Sequence, residues 1–262
     1  MGKLFLFETR KLARQKSLYI CFAVAVALLV LSALAYAFVD MMAESDTGGI
    51  FDEILGGEPM FGVGSFTKNA LSNCEFFLLL GVVVTLFCCN DYSNGTMKNI
   101  YAKGYSHAKV YFTKYLFSLI ISLVFASLCI IVSYAIGAIF AKQDNCDNLA
   151  AVMICQLVTV IGYHGIFFSV SMMLGKAGGS LAVNILAPMF FGTILSLLTL
   201  LIRSVTKSAD FDLGYIWFDS VFTDLNEIPV KGASFVKAVL MSLIYAGGFV
   251  TLGFFVNRRK EV

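Results

Sequence analysis

Apolar residues gather along this chain into six long tracts, at roughly 18–39, 70–89, 112–140, 150–174, 181–202 and 235–256. Each exceeds the ~18 residues that mark a candidate transmembrane helix. Within each tract the apolar residues run continuously rather than alternating with polar ones. That pattern predicts helices, which satisfy their own backbone hydrogen bonds in lipid, and not barrel strands. The third tract is the longest. At ~1.5 Å per residue it outruns a hydrocarbon core of about 30 Å, so it is expected to tilt or project. The expected fold class is an all-α membrane protein with six transmembrane helices in one membrane domain.

Composition agrees. Of 262 residues, 59% are apolar and 14% charged, and the mean hydropathy is +0.84. Soluble domains carry about 25% charged residues, and one core of this length could not hide so much apolar surface from water. The first tract exceeds the hydrophobic stretch of a signal peptide and no A-x-A-like site follows it, so it is read as a span that is retained.

The net charge of +2 becomes informative once it is divided by connection. The N-terminal segment, the second and fourth connections and the C-terminal tail together hold 13 Lys and Arg against Glu8, Asp91 and Glu261. The first, third and fifth connections hold 13 acids against five bases. The positive-inside rule then places both termini in the cytoplasm, N-in/C-in. Asn94-Gly95-Thr96 is formally a glycosylation sequon, but this orientation puts it on the cytoplasmic side, where it reads as turn chemistry.

Several chemistries are excluded or unsupported. The seven cysteines show no metal spacing and no disulfide framework, and His107 and His164 are too few and too distant for a metal site. No G-x-x-x-x-G-K-[ST] phosphate loop occurs. Gly175-Lys176-Ala177-Gly178-Gly179-Ser180 lacks its spacing and reads as a tight turn between spans four and five. The chain is therefore expected to be no enzyme and to bind no cofactor. No nucleic-acid partner is expected.

Two polar segments stand out. After the second tract, Asp91, Ser93, Asn94 and Gly95 read as turn and capping residues. Thr96 is expected to cap a short helix with Met97, Ile100 and Tyr101 on one face and Lys98 and Asn99 on another. Gly104 suits its C-terminal stop, and Ser106 is expected to cap a second helix that carries Lys109 and Lys114 into span three. Such an elbow at the membrane surface could equally hold its lysines against anionic lipid. The first 17 residues group Leu4, Phe5, Phe7 and Leu12 against Glu8, Arg10, Lys11 and Arg14, as an interfacial helix does.

These residues make the chain similar to the permeases of type-2 ABC exporters, the class that includes bacitracin and lantibiotic export or immunity permeases. In that family an interfacial helix precedes six spans, and the connection after span two carries an acid, Gly-Thr and a basic helix. Asp91, Gly95-Thr96, Lys98, Lys103 and Lys114 reproduce that order. Gly104-Tyr105-Ser106-His107 stands where the family has a Pro-Ile-Ser-Arg-like phrase. The resemblance implies that residues 90–111 form a coupling connection, in which Asp91, Gly95, Thr96, Lys98, Ile100, Tyr101 and Lys103 meet a separate cytosolic ABC ATPase. It further implies two ATPase copies that hold ATP and Mg, and a second permease, identical or homologous, in a bacterial plasma membrane. Residues 203–233 would supply an outer re-entrant segment, with Ile216, Trp217, Phe218, Val221 and Phe222 as membrane-seeking residues.

Polar residues within the spans complete the candidates. Glu75, about a turn and a half inside span two, is an intramembrane carboxylate and so a substrate-path candidate, with Asn73 beside it. Snorkelling, protonation, or pairing with Lys68 or Lys237 would equally explain it. His164 and Asn184 are further candidates for the path, although hydrogen bonding between helices accounts for them more economically. Pro188 is expected to kink span five, and Gly162/Gly165 to favour close helix packing. The expected function is ATP-driven export of an antimicrobial peptide, lantibiotic or hydrophobic drug. An ion-coupled transporter or channel is the alternative, disfavoured because Glu75 is the only acid well inside a span and no Lys or Arg lies near a midplane.

Overall fold

The structure is a computed structural model that describes residues 2–45, 62–72, 74–142, 144, 148–206, 212–226 and 231–259. Asn73 lies outside them. Ten α-helices follow one another among these residues. They are α1 (Gly2–Arg14), α2 (Lys16–Ser45), α3 (Val63–Ser72), α4 (Cys74–Ser93), α5 (Thr96–Ala102), α6 (His107–Phe140), α7 (Leu149–Leu174), α8 (Ala177–Thr206), α9 (Phe218–Asn226) and α10 (Gly232–Arg258). A 3₁₀ turn, Leu213–Ile216, precedes α9. Six of these helices, α2, α4, α6, α7, α8 and α10, are long and apolar enough to cross a membrane. They correspond in order to the six apolar tracts, and the fold is all-α.

The two best-buried spans, α4 and α7, form the centre. The longest span, α6, packs against both, α10 lies along α7, α8 leans on α4, and α2 covers α4 and α6. Small residues set the closest approach. A Cβ built on Gly165 would lie 2.7 Å from the Ala246 Cα, so α7 and α10 meet with nothing between their backbones. Pro188 sits inside α8, which continues through it as one helix. Between α7 and α8 the turn is shorter than the Gly-rich stretch implied. Gly175 ends α7 at φ 65°, Lys176 follows, and Gly178, Gly179 and Ser180 already belong to α8.

The outer side departs from the sequence reading in two ways. The second tract is broken: residues 70–72 end α3, a separate helix before the span. Its first N–H groups are capped from the third connection, where the Asp144 carboxylate accepts from the Gly64 and Ser65 amides at 2.7 and 2.9 Å. The segment after α8 also turns inward. Trp217, Phe218, Val221 and Phe222 are buried rather than lipid-facing. The Phe218 ring lies 4.4 Å from that of Tyr163, and Phe222 lies 5.3 Å from Phe77, which itself stacks on Tyr163 at 4.0 Å. The tip of the Phe218 ring occupies the place where Gly162 would carry a Cβ, 2.6 Å away. Only Ile216 of that group is exposed.

Candidate functional site

The connection from α4 to α6 is built from short-range backbone rules. Gly95 (φ 66°) and Gly104 (φ 81°) both adopt left-handed conformations that favour glycine, and they bracket α5. Gly95 holds the N-cap position and Thr96 is the first helical residue, so the helix begins one position earlier than a Thr96 cap requires. The Gly104 amide donates to the Tyr101 carbonyl at 2.9 Å, closing the helix. Ser106 stands at the N-cap of α6, but its hydroxyl makes no cap bond.

Packing then decides which face of α5 is free. Met97 and Ile100 are buried against the bundle, which fixes the roll of the helix. Tyr101 is half-buried and stacked on His107 with ring centroids 4.3 Å apart. Burial pushes its phenol up from its ordinary range. Lys98, Asn99, Ala102 and Lys103 are exposed, and together they form a small basic face at the inner end of the molecule. Thr96 and Gly95 are partly exposed at its edge.

Asp91 is not on that face. It lies within α4 at 1% exposure and belongs to a four-membered charge cluster. Lys11 of α1 donates to one Asp91 oxygen at 2.6 Å, and Lys114 of α6 pairs with the other. Lys114 also reaches Glu8 of α1 at 3.0 Å, and Lys11 lies 3.8 Å from Glu8. Glu8 and Lys114 are as deeply buried as Asp91. The Phe87 ring floors the cluster, with the Lys11 ammonium 4.8 Å from its centroid. Two acids and two bases cancel, so no net charge is buried, and each side chain has a partner of opposite sign. The arrangement corrects the reading of α1 as having a wholly water-facing charged side: Glu8 and Lys11 point into the bundle, while Phe5, Leu6 and Phe7 are exposed.

Next to the cluster, Tyr92 donates to Asn257 of α10 at 2.7 Å. α1, α6 and α10 are therefore all tied to the last turn of α4, just before α5.

The polar residues of the spans separate into two kinds. His164 is fully buried between Ser122 (2.9 Å) and Ser118 (3.4 Å) of α6. Asn184 donates to Thr85, Ser171 and the Phe167 carbonyl at 2.7, 3.0 and 3.2 Å. Both join helices, and neither lines a described cavity. Glu75 differs. The break after α3 puts it in the first turn of α4, nearer the outer boundary than a continuous span implies, and it is exposed. Lys237 is engaged by Asp224 at 2.7 Å, and Lys68 is buried elsewhere, so neither pairs with Glu75.

Residues 4–196 match the family model of the ABC-2 family transporter proteins. The chain belongs to that family. The matched region runs from α1 into α8 and contains the charge cluster, α5 and Glu75. An ABC-2 permease is the membrane component of its transporter and generally works with a cytosolic ATPase subunit. No curated protein matches this permease.

The pairing of Glu8 and Lys11 with Asp91 and Lys114 was not foreseen from sequence. Its one local signal is the i, i+3 spacing of Glu8 and Lys11 on an otherwise membrane-seeking helix.

Proposed function

We propose that this permease drives export of an amphipathic cargo, and that α5 is the lever through which a cytosolic ATPase moves it. One observation carries the reading: the basic face of Lys98 and Lys103 stands free, while the opposite face of α5 packs on the bundle beside a charge cluster that joins α1, α4 and α6. A partner gripping that face would pull on a rigid junction rather than on a loose connection. Asp91 serves the junction and not the contact. Lys98, Lys103 and the edge at Gly95-Thr96 form the contact itself, whereas Ile100 and Tyr101 set its orientation.

In this reading the transporter holds two permeases, identical or homologous, and two ATPase copies that carry ATP and Mg. It resides in a bacterial plasma membrane, N-in/C-in, with α1 lying at the inner surface. The cargo is an antimicrobial peptide, lantibiotic or hydrophobic drug, as in the bacitracin and lantibiotic export or immunity class. The acidic outer connections favour a cationic one within a Debye length of about 8 Å. Residues 203–233 act as the outer closure of the bundle.

Joint charge reversal, Lys98→Glu with Lys103→Glu, tests the lever. The expected outcome is loss of ATPase co-purification and transport with membrane insertion unchanged. Retained co-purification and transport would remove the lever and leave Lys98 and Lys103 as anchors to anionic lipid.

A further inference from the structure

We infer that an outer-leaflet cleft between α2, α4 and α6 binds a single-chain amphiphile with an ammonium head, held by Glu75. The cleft encloses about 280 Å³ and is walled mainly by apolar side chains, among them Leu28, Leu31, Phe76 and Leu79. Glu75 is the one acidic side chain among its described lining residues. Among the described residues, no hydrogen bond or ion pair engages its carboxylate.

The directions of the helices place head and tail. α2 runs outward, so Ser32 and Ala35 lie nearer the outer surface than Ala25. α4 runs inward, so Glu75 lies outside Leu79. The carboxylate therefore sits at the outer rim, in the first turn of α4, where the helix dipole favours negative charge. The apolar lining runs deeper from it, towards the middle of the membrane. A carboxylate above an apolar slot that opens to lipid complements a cation with one hydrocarbon tail. A neutral alcohol would fill the slot but leave the carboxylate unpaired, and an anion would be repelled.

Volume narrows the occupant further. At about 30 Å³ for a water-sized unit, the cleft holds roughly nine such units. That is room for one alkyl chain, at the lower edge of the ~300–1,000 Å³ typical of small-ligand pockets. A lipid with two chains would leave one of them outside the slot.

As a binding site the cleft is independent of the exporter. As a place where cargo enters from the membrane it rests on the proposed export function.

The test uses the full chain in phosphatidylglycerol vesicles, treated with a membrane-soluble carbodiimide and read by peptide mass spectrometry. Glu75 is expected to form an adduct that the Glu75→Gln variant lacks. Dodecyltrimethylammonium is expected to slow adduct formation several-fold, whereas dodecanol leaves it unchanged. Absence of an adduct in carbodiimide-treated vesicles without added amphiphile would overturn the inference, because the cleft would then be closed to the membrane. Equal protection by dodecanol would overturn the role of charge. If phosphatidylethanolamine in the vesicles protects as well as the single-chain cation, the occupant is a resident two-chain lipid and the inference fails in its stated form. No ATPase is present, so every outcome leaves the test of Lys98 and Lys103 untouched.

Discussion

Lys114 is surrounded at the inner end of α6 by groups that neutralise it: Asp91 and Glu8 accept from it, and Lys11 shares both acids. Such a cluster adds little net stability over apolar packing, but removing one member strands a charge, which costs about 3–5 kcal/mol. Lys114→Met or Asp91→Asn alone should therefore lower the melting temperature of the purified permease markedly. The pair combined should lower it less than the sum of the two, because Glu8 and Lys11 still cancel. A double-mutant cycle in detergent measures the difference. Sequence alone made Asp91 and Lys114 visible as parts of a motif, yet did not pair them with each other or with α1. The partners of Asp91 come from helices far apart along the chain, and the i, i+3 spacing of Glu8 and Lys11 is the one local hint of that contact. At Gly162 the side chain that is missing matters as much. Gly162→Ala would drive a methyl into the Phe218 ring and should cost about 1–3 kcal/mol, with Phe218→Leu recovering part of the loss. Thermal unfolding of the three variants decides it.

Among the elements, the long spans were legible because hydropathy over some twenty residues overwhelms local detail. Shorter pieces were not. α3 has ten residues of mixed character, and its start depends on a carboxylate nearly eighty positions later. Asp144→Ala should uncap it at a cost of about 1 kcal/mol, seen as a lower melting temperature with the six spans intact by circular dichroism. The residues of α9 illustrate a physical limit. A lipid tail and a protein core are equally apolar, so Trp217, Phe218 and Phe222 read as membrane-seeking although they face Tyr163, Phe77 and Tyr245. α5 was readable for the opposite reason: two glycines and a period of apolar and basic residues fix both its limits and its free face.

For the molecule as a whole, the division of charge between connections sets an orientation that labelling can check. The native cysteines described, Cys21, Cys88, Cys89, Cys129 and Cys155, are buried and should resist impermeant maleimide in intact cells. With Cys74 and Cys146 replaced by Ser, Lys231→Cys should react from outside, and Lys103→Cys only after the membrane is opened. Labelling of position 103 from outside would invert the topology and detach α5 from any cytosolic partner. The candidate site was legible only at this scale and at that of α5. Hydropathy and charge place the basic connection inside, whereas the Glu75 cleft exists only once α2, α4 and α6 are packed together.

The charge cluster also bears on how the protein is made. Glu8 and Lys11 are synthesised before their partners, and the lysine that completes their pairing lies 106 residues beyond Glu8. Until the third span has been inserted, the leading helix has no lock to close. Quality control that samples nascent permeases would therefore meet α1 without its full latch until that span is in place.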